Sequence, residues 1–342
     1  MIKKVCKLII AFIFIGITMS GCKLASSSEN IKDNELKIGI TVYKQEDKYI
    51  TCLINSIEEF IVEKENKTNT KITVNVVDSK GNTTTQNNQI DKFIAQDYDI
   101  ICVNIIDRTA ASIIINKAKK ADIPVVFFNR EPVEEDMNLW EKVYYVGAKA
   151  KESGKIQGEI IVDKYIADKL QVDKNNDGVI QYVMLEGEPE HQDSLIRTEE
   201  CVKQLINSGI EVEKLDNYSA NWQNVQAYQK MVEWIKEFGD SIEVVFSNND
   251  DMALGAIHAI ESSSIIGEKR PLVVGIDGIP EALERIKEGA MTGTVFNNYD
   301  EQAKEIVNIC YEVHFNEKIY NTRYFKSSYK IITNENISEY TP

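Results

Sequence analysis

The sequence predicts an α/β protein of two lobes, each built on a doubly wound parallel sheet flanked by helices. Three observations carry that reading. The chain has 342 residues, more than one core of a typical domain holds. Apolar residues make up 43% of it, enough to fill two cores. β-branched runs alternate with stretches of helical apolar spacing through both halves, which is βαβ winding, with the helices supplying right-handed crossovers.

The elements follow in order. Residues 36–43 (LKIGITVY) are a β-branched run and a first strand. A charged loop, 44–48, leads into a helix over 49–63. Residues 71–77 alternate as a strand does, and a polar Asn/Thr/Gln loop follows. A helix over 90–95, a strand over 97–104, a helix over 110–121 and a strand over 124–128 complete the first unit. The second unit repeats the scheme. Its helices are predicted at 153–165, 193–208, 225–236, 252–262, 280–288 and 301–315. Its strands are predicted at 179–185, 212–215, 243–247, 272–276 and 291–296. Neither GxGxxG nor GxxxxGK[ST] follows any strand, so no nucleotide fingerprint is present.

The N-terminus is a targeting segment. Lys3, Lys4 and Lys7 precede an apolar run over 8–17, too short to span a membrane. Met19-Ser20-Gly21-Cys22 then resembles a bacterial lipobox, which implies cleavage before Cys22 and lipidation of its sulfur. The alternative is a plain secretory signal with an incidental cysteine. Residues 23–34, rich in Ser, Lys and Asn, read as a flexible tether. Cys52, Cys102, Cys201 and Cys310 show no metal spacing and read as free, buried, small hydrophobes. The net charge of −15 argues against nucleic acid as a partner, since phosphate binding needs a basic face.

Several strands end in polar residues. VVFF ends at Asn129-Arg130, EVVFS at Asn248-Asn249-Asp250, VVGI at Asp277, and GTVF at Asn297-Asn298. VMLEGEPE leads into His191, Asp193 and Arg197, the last two sharing a helix face at i,i+4. Each end alone reads equally as a helix N-cap or, for Asp193 and Arg197, as a surface ion pair. Together they would line a cleft at the carboxyl ends of two sheets, where open α/β sheets bind ligands. Planar groups with paired donors or acceptors suit adjacent hydroxyls, as on a sugar. Trp222 and Tyr49 offer flat apolar faces for a pyranose. Hydrolysis by paired carboxylates is the enzymatic rival. It is disfavoured because Asn and Arg partners should keep Asp47, Asp193 and Asp277 ionised with lowered pKa, the opposite of a general acid.

Residues 173–181 (DKNNDGVIQ) read as the first nine positions of an EF-hand calcium loop. Asp173, Asn175 and Asp177 stand at positions 1, 3 and 5, Gly178 at 6, the Val179 carbonyl at 7 and Gln181 at 9. Position 12 is Met184, inside a strand, so a carboxylate must come from elsewhere.

The chain resembles the bacterial periplasmic glucose/galactose-binding proteins, from about residue 37 to 294 and beyond. VYKQEDKYI, PVVFFNREP, YYVGAKAKESGKIQGEII, DKNNDGVIQYVMLEGEPEHQDSLIRT, IEVVFSNNDDMALGA, GIDGIPEAL and GTVFNN carry the match. The resemblance implies a two-lobed type I periplasmic-binding-protein fold joined by a three-crossing hinge, with crossings near Ala148, near 297–298 and near 327–330. It divides the chain into a lipoprotein signal peptide (1–21), a tether from lipidated Cys22 (22–35), an N-terminal lobe (36–148 plus 298–328) and a C-terminal lobe (149–297 plus 329–342). It implies sugar contacts from Asp47, Asn129, His191, Asp193, Arg197, Asn249, Asp277 and Asn297, with Tyr49 and Trp222 sandwiching the ring. The family usually has Phe where this chain has Tyr49. Structural Ca2+ would be held by Asp173, Asn175, Asp177, Val179, Gln181 and Glu243, the last supplying the missing carboxylate. The implied function is a non-enzymatic, monomeric, lipid-anchored extracytoplasmic receptor for D-glucose or D-galactose. It would deliver the sugar to an ABC permease or, alternatively, present it to a chemotaxis or histidine-kinase receptor. A transcription-factor sensor of the same fold would need an N-terminal helix-turn-helix, where this chain has a signal and tether.

Overall fold

The computed structural model describes residues 34–263 and 270–340. The signal segment, the Cys22 anchor and most of the tether lie outside these residues. In the first half, β1 (Glu35–Val42), α1 (Lys48–Thr68), β2 (Lys71–Asp78), α2 (Thr83–Ala95), β3 (Ile100–Val103), α3 (Ala111–Ala121), β4 (Val125–Phe128), the short α4 (Glu134–Met137) and β5 (Val143–Ala148) follow one another. The second half runs α5 (Ala150–Ala167), the short α6 (Lys169–Val172), β6 (Val179–Glu186), α7 (Gln192–Asn207), β7 (Glu211–Ser219), α8 (Asn224–Phe238), β8 (Val244–Ser247), α9 (Asp250–Glu261), β9 (Leu272–Asp277), α10 (Pro280–Lys287) and β10 (Gly293–Asn297). Then come α11 (Tyr299–Phe315), β11 (Tyr324–Ser327) and β12 (Tyr329–Thr333).

These strands form two six-stranded sheets, ordered β2-β1-β3-β4-β5-β11 and β7-β6-β8-β9-β10-β12. Every pairing is parallel except β10 with β12, which is antiparallel. The second sheet thus departs from the all-parallel expectation at its edge. The chain passes from one sheet to the other between β5 and α5, between β10 and α11, and across Ser328 between β11 and β12. In each sheet the strand order reverses at one point, between β1 and β3 and between β6 and β8. At such switch points the loops splay apart and leave a crevice.

Each sheet is buried on both faces, which is why its strands read as continuous apolar runs. On the first sheet, Ile38, Ile40 and Phe128 pack with Ile306 of α11, while Val103, Phe127 and Tyr145 pack with Ile90 and Ile114 on the other face. On the second, Val183 and Val245 meet Met231 and Ile257, and Met184 and Phe246 meet Ile161 and Leu205. α5 lies close on α7. A Cβ on Gly158 would come 2.4 Å from the Cys201 carbonyl, so only glycine permits this approach. That packing sets the height of α7 above the sheet.

Several elements differ from expectation. The polar stretch read as a loop before residue 90 is the first two turns of α2. Asn82 caps it by accepting from Thr85 N at 2.8 Å, and Gln86 is buried, bonding Asn104 O at 3.0 Å and Ile106 N at 3.1 Å. Here hydrogen bonding to distant backbone replaces the apolar face that periodicity looks for. β7 is longer than its apolar segment, because ladder bonds to β6 extend through polar residues. β5, β11 and β12 are strands beyond those the sequence pattern predicts. Cys102, Cys201 and Cys310 are buried, whereas Cys52 is only half buried.

Candidate functional site

A cavity of about 360 Å³, open solvent at its mouth included, lies at the carboxyl ends of the two sheets. From the first sheet's loops and helix starts come Tyr43, Asp47, Tyr49, Asn129 and Arg130. From the second come His191, Asp193, Arg197, Trp222, Asn249 and Asp277. Of the expected sugar-contacting residues, only Asn297 is missing from the wall. It is buried, and its Oδ1 accepts from Gln302 Nε2 at 2.8 Å. Its amide also bonds Asp277, so it braces that carboxylate from behind. Tyr43 and Arg130 were not among the expected contacts. Arg130 directly follows Asn129 at the carboxyl end of β4, and Tyr43 directly follows β1.

The N-cap reading and the ligand reading prove compatible. Asp47 caps α1, accepting from Ile50 N at 3.1 Å through Oδ1, and its Oδ2 accepts from the Tyr43 hydroxyl. Asn249 caps α9 by accepting from Met252 N at 3.0 Å through Oδ1, which leaves its Nδ2 as a donor. His191 caps α7 by accepting from Asp193 N at 3.1 Å through Nδ1. Burial, with Arg130 and Arg197 nearby, holds this imidazole well below its usual pKa. It is therefore neutral, with its proton on Nε2. Asn129 accepts from Asn104 Nδ2 at 3.1 Å, so its own Nδ2 also remains a donor.

Arg197 is the hub of the second half. Its Nη1 donates to Asn248 O at 2.9 Å. Its Nη2 lies 3.7 Å from Asp193 Oδ2, and the same Nη1 lies 4.0 Å from Asp277 Oδ1. Its Nε is buried and makes no hydrogen bond to protein, as is true of Trp222 Nε1. Unpartnered buried donors on a cavity wall are costly unless a ligand satisfies them.

The expected lowering of carboxylate pKa is reversed at two positions. Burial raises Asp193, with Arg197 opposing but not outweighing it. Burial raises Asp277 strongly, again against Arg197, and the charges of Asp250 and Asp47 add to the rise. Sequence proximity shows which ions pair, but desolvation depends on everything packed around them. The pKa argument against hydrolysis therefore falls.

Three wall residues have left-handed backbone: Asn129 at φ 60°, Trp222 at φ 65° and Asp277 at φ 130°. For residues with a Cβ this is strained, and such strain clusters at functional sites. The Trp222 indole meets His191 edge-on, with centroids 5.2 Å apart. Tyr49, on the first-sheet side, is buried at 4% exposure. Its hydroxyl makes no hydrogen bond, the nearby Gln302 amide being committed to Asn297 and Ser327.

The 173–181 loop folds around Glu243, which precedes β8. Glu243 accepts from Lys174 N at 2.6 Å and Gln181 N at 3.0 Å. Asp173, fully buried, accepts from Asp177 N at 3.1 Å and Gly178 N at 3.0 Å. Asn175 Nδ2 bridges Asp177 Oδ2 at 2.9 Å and Gln181 Oε1 at 3.0 Å. The donor set is all oxygen, which suits a hard cation. Among the described residues, no three His, Cys, Asp or Glu side chains are gathered closely enough to hold a metal.

Two facing parallel sheets, three chain crossings and one polar, aromatic-walled cavity at their carboxyl ends define a two-lobed ligand-binding protein of the type I periplasmic-binding-protein fold. The chain belongs to the periplasmic binding protein family: the model of the periplasmic binding protein domain matches residues 38–318. It is 37% identical over 286 residues to the D-galactose/methyl-galactoside binding periplasmic protein MglB of Haemophilus influenzae, covering 83% of each chain. It is 29% identical to a putative rhizopine-binding protein of Rhizobium meliloti, covering 89% of this chain and 92% of that one. Among solved structures, an ABC transporter solute binding protein of Bacillus halodurans with bound myo-inositol superposes with a TM-score of 0.73 at 28% identity, covering 89% of this chain and 96% of that one. A galactofuranose binding protein, at 20% identity and a TM-score of 0.77, covering 89% of this chain and 96% of that one, shares the fold. These relatives are binding proteins, not enzymes. Among the described residues no helix is long and apolar enough to cross a membrane.

Proposed function

We propose that this chain is the extracytoplasmic sugar-capturing component of an ABC transporter, taking D-glucose or D-galactose as ligand. One observation carries the reading: the inventory of groups left over on the cavity wall. Donors remain on Asn129, Asn249, His191, Arg197 and Trp222, and acceptors on Asp193 and Asp277. A hydroxyl donates one hydrogen bond and accepts others, so a neutral ring of hydroxyls satisfies both sets at once. Tyr49 and Trp222 supply apolar faces from opposite halves. Contacts made to both lobes at once favour the closed arrangement, so binding and hinge closure are one equilibrium. The MglB relative's galactose ligand supports a hexose in particular.

In this reading the sugar passes to a membrane permease, and Cys22 tethers the protein by a lipid. Nothing in the fold or the relatives favours presentation to a chemotaxis or histidine-kinase receptor instead. Calcium belongs to the second lobe as a structural ion. Asp173, Asp177 and Glu243 would hold it with Asn175, Gln181 and the Val179 carbonyl, and it takes no part in gripping the sugar.

A thermal-shift panel tests the assignment. D-glucose or D-galactose is expected to raise the melting temperature most. If myo-inositol, ribose or allose gives the largest shift and D-glucose and D-galactose give none, the glucose/galactose assignment is wrong.

A further inference from the structure

Glu188 lies in the loop after β6 and does not line the cavity. Its two oxygens reach across to the first half of the fold. Oε2 accepts from Arg130 Nη2 at 2.8 Å, and Oε1 accepts from Lys44 Nζ at 2.9 Å. Arg130 follows β4 and Lys44 follows β1, so both bonds join one sheet's loops to the other's. Arg130 is itself held in place. Its Nη1 donates to Ile106 O at 3.3 Å, and its guanidinium lies 3.8 Å from the centroid of the Tyr43 ring. The Tyr43 hydroxyl in turn donates to Asp47, a cap of α1 and a wall of the cavity. An unbroken series, Glu188–Arg130–Tyr43–Asp47, therefore runs from the outer lip to the ligand space.

Position separates this trio from an ordinary surface ion pair. Arg130 keeps only 10% of its side chain exposed, and Glu188 and Lys44 keep 24% each. Lys48–Glu281, which also joins the two halves, is about half exposed at both ends and contributes little. Outside the trio the cleft widens into a second, larger space that shares Tyr43, Arg130, His191 and Asp193 with the cavity. All three residues of the trio line this second space, and Arg130 lines both.

We propose that Glu188, with Arg130 and Lys44, is an interlobe clasp across the mouth of the cavity, formed on closure, that sets how fast the sugar leaves. Opening the lobes must break two charge-assisted bonds at once. Entry meets no such barrier, because the clasp forms after the ligand is in place. Glu188 is thus a positioning residue and acts on release through Arg130. This inference rests on the sugar-binding reading above.

Stopped-flow tryptophan fluorescence on the full-length protein with D-galactose and D-glucose tests it. Glu188→Gln should raise the release rate about tenfold, leave association nearly unchanged and leave the sugar-free melting temperature unmoved, since losing one partner of a mostly buried, hydrogen-bonded charge pair acts chiefly on dissociation. Lys44→Met should do the same to a smaller degree, and the double variant should fall short of the sum of the two effects. A wild-type release rate in Glu188→Gln overturns the clasp. So does a change in release matched by a lower melting temperature. If the wild type binds neither sugar, the glucose/galactose reading fails, and the clasp is read in the presence of whichever sugar of the thermal-shift panel raises the melting temperature most. A carbodiimide, which couples touching carboxylates and amines, should then join Lys44 to Glu188 in a peptide map, and absence of that cross-link overturns the clasp.

Discussion

The indole of Trp222 rests on the backbone of Gly187. A Cβ at residue 187 would lie 2.1 Å from the ring's Cζ2, closer than any real contact. The aromatic wall of the second lobe therefore depends on a hydrogen atom in the β6–α7 loop. Gly187→Ala must push the indole into the cavity or away from it. Overpacking of this kind costs about 1–3 kcal/mol, and hexose affinity should fall at least about tenfold, which corresponds to about 1.4 kcal/mol. Calorimetry reads this directly, and unchanged affinity would show that Trp222 does not hold the ring.

Sugar affinity should depend on pH. Burial raises Asp193 and Asp277 in the sugar-free site. A hydroxyl donating to either carboxylate stabilises the ionised form, so both pKa values should be lower in the complex. Affinity is then full above the sugar-free pKa values and is lost as pH falls through them. Titrations from about pH 7 down to about pH 4 should show weaker binding with proton release, and Asp193→Ala should remove most binding at any pH. A dissociation constant that stays flat across the range contradicts hydrogen bonding to ionised acids.

Asp250 gives a stability prediction of the opposite sense. It is fully buried at the start of α9, accepting from Gly278 N at 2.7 Å, Ile279 N at 3.2 Å and Thr294 Oγ1 at 2.6 Å. Burial still outweighs these bonds and raises its pKa from 3.8 to about 6. The folded state thus holds this proton more tightly than the unfolded state. The group's contribution is complete below 3.8 and is lost as pH rises through about 6. Asp250→Asn keeps acceptors and donors that can satisfy the same neighbours, and should flatten the denaturation free energy between those two values.

Calcium should stabilise the second lobe by mass action. At a hundredfold excess over the dissociation constant the gain is about 2.7 kcal/mol, so EGTA should lower the melting temperature. Glu243→Gln should abolish the response, because Glu243 is the one buried carboxylate brought to the loop from outside it. An identical melting curve with and without chelator would remove calcium from the account.

By itself, the sequence determined what is local or periodic. Apolar, β-branched runs such as residues 36–43 and 272–276 specified strands, and the polar ends of several of them marked out Asn129, Asn249 and Asp277. The spacing of Asp193 and Arg197 placed them on one helix face. Where structure arises from remote partners, the chain in one dimension was silent. α2 begins at Thr83 because Gln86 bonds the β3 end, not because of any apolar stripe. β11 and β12 are strands because the two sheets offer them free edges.

At the site, tertiary structure decided the electrostatics. Asp193 and Asp277 have the arginine partner that was anticipated, yet their pKa values rise, because desolvation sums over every neighbour while pairing counts only one. It also moved Asn297 behind Asp277 and brought Arg130 from one sheet against Glu188 of the other. Those placements depend on how two sheets face each other across three crossings, a relation between residues that are far apart along the chain.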